Sequence, residues 1–171
     1  MMSASSRRRR PMHTLVQMQR IARMEFVRGL QGLSDEDARK RVEPMNCISW
    51  QIGHVAYQQR AFFVDWPQGK ESPNEYTPFG TGSPASQPPL DEVMALWQAS
   101  CDEADVWLEA ATEESLQTPQ SSSPEGENGG TLIVRNICHT WCHIGEISAI
   151  RQILGHEPPE FVEMYGWNYG K

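Results

Sequence analysis

Four stretches of this 171-residue chain repeat their apolar residues at steps of three and four, and no stretch of useful length alternates with a period of two. Such a chain has one economical solution: helices that bury their apolar stripes against one another. The first stretch, 13–30, carries Leu15, Val16, Met18, Ile21, Met24, Val27 and Leu30, with Gly32 where a C-cap falls. Ser34, followed by Asp35, Glu36 and Asp37, is a capping-type segment that starts a short turn, and Pro44 closes the connection. The second stretch, 46–64, opens on Asn46 as cap and is apolar on most sides through Ile48, Trp50, Ile52, Val55, Phe62 and Phe63, so it is expected to be largely buried. The third, 91–111, has the stripe Met94, Trp97, Cys101, Ala104, Leu108 and an outer face of Glu92, Asp102, Glu103, Asp105 and Glu109, read as solvated charge. The fourth, 131–154, is capped by Thr131 and stopped by Gly155. Between them lie two polar loops, 66–89 and 112–130. The first is rich in Pro and Gly and long enough for a lid or a binding segment. The expectation is an all-α four-helix bundle, one domain over 12–171, with 156–171 packed across it as an irregular strap.

The chain length suits one well-buried core. The net charge of −7 combines 15 basic and 22 acidic residues, and four of the basic ones are consecutive, Arg7, Arg8, Arg9 and Arg10. Residues 1–11 are expected to be a disordered leader, outside a body that keeps 11 basic against 22 acidic residues. A net acidic body argues against a nucleic-acid binder, which relies on clustered Lys and Arg. No apolar run approaches the ~18 residues of a membrane span, and no apolar segment follows the arginines as in a secretory signal. Four cysteines, Cys47, Cys101, Cys138 and Cys142, are therefore read as reduced thiols of a cytoplasmic protein.

Within the fourth stretch, His139 and His143 are four residues apart, so both imidazoles project from one helical face, and Glu146 follows on the same stripe. Two histidines at this spacing can share a metal ion or simply hydrogen-bond to each other, and the spacing alone leaves both readings open. His54, in the apolar second stretch, is a third imidazole that can face the pair. Three histidines from two helices would leave coordination positions open for water or substrate. His13 and His156 fall at segment ends and are read as surface residues. Cys138 and Cys142 are each turned about 100° from the neighbouring histidine, which favours small buried residues over ligands. Trp50, Tyr57 and Cys142 are candidates to line a pocket, with a core position as the plainer reading of the two aromatics. Arg60 and Arg135 could bind a carboxylate, with a place in solvent as the plainer reading for both.

In Gly29 to Glu36, in Asn46, Trp50, Gly53 and His54, and in the run from His139 through Phe161, the sequence resembles the DinB/YfiT-like superfamily. The resemblance spans about residues 13–161. It implies an up-down-down-up bundle, usually a homodimer, with a divalent metal (Zn, Ni, Fe or Mn) held by His54, His139 and His143. Glu146 departs from the pattern, which commonly has Gln there; it can orient a ligand imidazole, add a fourth ligand, or be a charge at the bundle rim. The resemblance also implies a small-molecule substrate and a low-molecular-weight thiol such as bacillithiol, mycothiol or glutathione in an S-transfer reaction. A non-catalytic, metal-stapled dimeric binding module is the alternative.

Overall fold

The computed structural model describes residues 12–120 and 122–157. The leader expected at 1–11 lies outside these residues, as does all of the expected strap beyond residue 157. Helix α1 (Thr14–Gly29) starts where the His13 ring accepts a hydrogen bond from the Leu15 amide. The expected short turn is a one-turn helix, α2 (Asp35–Arg39): Ser34 Oγ accepts from the Asp37 amide, and three acids in the first turn suit the positive end of the helix dipole. Helix α3 (Ile48–Arg60) begins after Cys47 with no side-chain cap. Asn46, the expected cap, instead offers its backbone carbonyl to the Gln51 amide group. The chain continues through a π-helical turn (Ala61–Asp65) and a 3-10 turn (Trp66–Gln68), and Gly69 ends it at φ 63°.

Helix α4 spans Leu90–Ala110. A further one-turn helix, α5 (Glu113–Gln117), lies in the stretch read as loop. Thr112 and Ser115 form its reciprocal capping box, a short polar signal with no apolar period to reveal it. Helix α6 (Gly129–Ile153) starts two residues before the expected Thr131, because Asn128 Oδ1 accepts from the Thr131 amide.

Long-range hydrogen bonds give the direction of each long helix. Gln19 bonds Asn136 and Arg151 bonds the Gly29 carbonyl, early with early and late with late, so α1 and α6 run parallel. Gln51 meets His143 and His54 meets His139, so α3 runs against α6. Gln59 bonds Ser100 and Phe63 stacks on Trp107, so α4 runs with α3. The order is up-down-down-up. No described helix is long and apolar enough to cross a membrane.

Two apolar clusters fill the bundle. One is built on Phe26, Ile52, Trp97, Ile144 and Ile147, the other on Val16, Phe63, Leu108 and Leu132. Between them lies a buried polar layer. Gln19 donates to Asn136, Arg23 donates to Gln59 and Asp105, and Gln59 donates to Ser100. This layer corrects the reading of α1. Its buried face is Val16, Gln19, Ala22, Arg23 and Phe26, whereas Met18, Met24 and Val27 of the expected stripe are exposed. Polar residues with buried partners turned the helix away from its apolar count. The outer face of α4 is likewise more than solvated charge, since Glu103, Asp105 and Glu109 pair with Arg60, Arg23 and Arg20. The Arg60 side chain is only 12% exposed and lies over the Tyr76 ring, which corrects its expected place in solvent. Arg135 is exposed and pairs with Glu127.

The rotated face of α1 predicts a contrast in stability. Phe26→Ala, at 1% exposure, is expected to cost about 3–5 kcal/mol. Met24→Ala, at 37%, is expected to cost less than about 1 kcal/mol. Urea unfolding of the two variants checks this, and equal losses would contradict the orientation.

Candidate metal centre

His54 projects from the middle of α3, and His139 and His143 from consecutive turns of α6, at the level where the two apolar clusters meet. The three Nε2 atoms converge. His139 Nε2 lies 3.0 Å from His54 Nε2 and 3.1 Å from His143 Nε2. One ligand nitrogen from each ring falls within 4.8 Å of the others, and among the described residues no cysteine or carboxylate joins that group. His54 is buried and stacked on Trp50, with ring centroids 5.1 Å apart and planes 15° apart; the other two rings are partly buried.

The far side of each ring decides where its proton can sit. His54 Nδ1 is 2.7 Å from the backbone carbonyl of Phe79. His143 Nδ1 is 2.8 Å from a Glu146 carboxylate oxygen and 3.3 Å from Gln51 Oε1. These partners only accept, so Nδ1 of both rings carries the proton and both Nε2 atoms present bare lone pairs. His139 Nδ1 is buried without a hydrogen-bond partner. A proton on His139 Nε2 can point well at only one of its two neighbours, so lone pairs are left facing each other. Burial, then the charges of His143 and His54, push the His139 pKa from 6.5 down to about 3. Burial also lowers that of His143, against the pull of Glu146.

A divalent cation fits this donor set. Three neutral imidazoles about 2.0–2.1 Å from a tetrahedral ion would stand about 3.3 Å apart, close to the 3.0 and 3.1 Å that separate His139 Nε2 from the other two. The residues present can therefore hold a metal, with His54, His139 and His143 as its donors. Glu146 touches the side of His143 that faces away from the cluster, where it orients the ring, and its own side chain is half exposed.

The remaining candidates are spread around this point. Trp50 is buried behind His54. Tyr57, one turn further along α3, lines an open polar groove of about 540 Å³ together with Trp66, Lys70, Ser72, Asn74 and Thr77. Cys138 and Cys142 are exposed, which corrects the expectation that they are buried. Helix α6 turns Cys138 and Cys142, the residues before its histidines, to solvent, while Thr140 and Ile144, which follow them, are buried. His13 and His156 are partly exposed and bind Glu113 and Asp37. Sequence reasoning missed Gln51 and Phe79. Gln51 carries no signal. Phe79 has an indirect one, a glycine directly before His54 inside a helix.

The proton inventory predicts a pH dependence of the metal-free protein. His139 has a lower pKa folded than unfolded, so acid favours the unfolded chain. The stability is fully present above about pH 6.5 and declines as the pH falls towards 3. Urea unfolding in chelator at pH 7 and pH 5 should show the loss, and His139→Gln should lessen it.

A family model described as the DinB superfamily matches residues 19–147, a stretch that includes most of α1, all of α3 and α4, and all three histidines. No curated protein matches the chain. With the match covering most of its length, and an all-α up-down-down-up bundle beneath it, the chain belongs to the DinB superfamily.

Proposed function

We propose that the protein binds a divalent metal at His54, His139 and His143 and uses it as a small-thiol S-transferase. The observation that supports this most is the convergence of three imidazole nitrogens, at least two of them without a proton, and no fourth protein donor among the described residues. Zn, Ni, Fe and Mn all suit a neutral imidazole set with open positions. A cation there supplies Lewis acidity that favours the anionic form of a small thiol at neutral pH.

The chain's own residues do the rest. The Phe79 carbonyl and the Glu146 carboxylate keep protons on the outer nitrogens of His54 and His143, so both inner nitrogens stay available as donors. Trp50 covers one face of His54 and excludes water from it. The polar groove at Tyr57, one helical turn from His54, is the place for a small electrophilic substrate. All four cysteines are free thiols, in keeping with a reducing cytoplasm. Exposed Met18, Met24 and Val27 on α1 offer a face for a second copy, which is where a homodimer would form.

One observation favours the non-catalytic alternative: the donors come from two helices, so a bound ion would brace α3 against α6 whether or not it did chemistry. Two measurements separate the readings. Metal analysis and zinc titration should give one ion per chain, lost in His139→Ala. The loaded protein should consume a low-molecular-weight thiol in the presence of a generic electrophile, and His139→Ala should lower that rate at least a hundredfold. One bound ion with no thiol consumption across a panel of thiols would favour the brace.

A further inference from the structure

We propose that Gly53 and the turn Thr77–Phe79 are a positioning device that holds His54 in the Nδ1–H tautomer, with Nε2 aimed at His139. This rests on the metal reading above only for its consequence, not for its geometry. A glycine inside a helix costs about 0.5–1 kcal/mol relative to alanine, so one in the middle of α3 calls for a reason. The reason is contact. A Cβ at Gly53 would lie 2.5 Å from Phe79 Cδ1 and 2.6 Å from its Cγ, so the ring sits directly on the helix backbone.

That ring cannot easily withdraw. Phe79 is buried, its amide donates to the Tyr76 carbonyl, and Tyr76 is buried with its hydroxyl donating to the Leu96 carbonyl of α4. Arg60 lies over the Tyr76 ring from the other side. The bare backbone at Gly53 leaves room for the turn that carries Phe79 to approach until its carbonyl lies 2.7 Å from His54 Nδ1, on the next residue of the helix. A carbonyl can only accept, so the proton is on Nδ1 and the lone pair on Nε2. The Trp50 stack hinders rotation of the same imidazole. Loop 66–89, expected as a lid or a binding segment, thus contributes a backbone atom that selects the donor nitrogen of a histidine on α3.

The test reads the tautomer directly, with no metal present. Nitrogen-15 NMR of the full chain, labelled at histidine and kept in chelator, is expected to show a protonated Nδ1 and a bare Nε2 for His54. In Gly53→Ala the signature should give way to a mixture of tautomers, and zinc affinity measured by calorimetry should fall about 10–100-fold. Gly53→Ala combined with Phe79→Ala removes the clash but keeps the carbonyl. It should restore the wild-type tautomer and most of the affinity, which a loss of packing alone would not do. A His54 proton found on Nε2 in the wild type overturns the proposal, whether or not any variant folds. So does Gly53→Ala with an unchanged tautomer, or a double variant that recovers neither property. Wild type with the expected tautomer but no zinc binding overturns the metal reading instead and leaves the positioning of His54 standing.

Discussion

The guanidinium of Arg23 is buried in the middle of the bundle, and two of its nitrogens reach partners on other helices. Its Nε reaches Gln59 on α3 and its Nη1 reaches Asp105 on α4. A buried charge without partners costs several kcal/mol, so three helices are held in one register by a single side chain. Gln59 passes the constraint on to Ser100, and Gln19 extends the layer to Asn136 on α6. Apolar clusters on either side supply the bulk of the burial, but apolar contacts tolerate sliding and hydrogen bonds do not. The polar layer is what places His54 of α3 opposite His139 and His143 of α6.

The three imidazoles present a second problem of satisfaction, solved differently. In the polar layer Gln19, Arg23 and Gln59 each donate to a partner across the core, although Arg23 Nη2 and Asn136 Nδ2 are buried without one. At the histidine cluster the outer nitrogens of two rings find acceptors, and the inner nitrogens are left pointing at one another. Such an arrangement is a poor hydrogen-bond network and a good set of metal donors. The convergence of three imidazoles, two of them with their protons held on the outer nitrogen, is the main physical support for reading this cluster as a functional site. Membership of the DinB superfamily is consistent with that reading but does not fix a reaction, because chemistry lives in the site rather than the fold.

Residue spacing made much of this legible. The steps of three and four located all four long helices to within a few residues, and the His139–His143 pair on one face follows from helix geometry alone. Their caps were less legible: Asn128 and Thr131 are both good capping residues, and only the backbone path selects between them. The face of α1 was misread for a clearer reason. Periodicity counts apolar side chains, and the inward face of α1 carries Gln19 and Arg23, whose partners lie far away in sequence. The same blindness put Arg60 in solvent, since Glu103 and Asp65 come to it from α4 and the π-helical turn.

By itself, then, the sequence determined that the chain forms long amphipathic helices, that these bundle, and that two imidazoles share a helical face. These are consequences of local periodicity, which needs no knowledge of what lies across the core. Tertiary structure alone decided that His54 meets the other two, that the Phe79 carbonyl and Glu146 leave inner nitrogens bare, and that Cys138 and Cys142 face outward. Each depends on which groups satisfy which hydrogen bonds at long range. A hydrogen-bond partner 25 or 85 residues away leaves no periodic trace in the sequence.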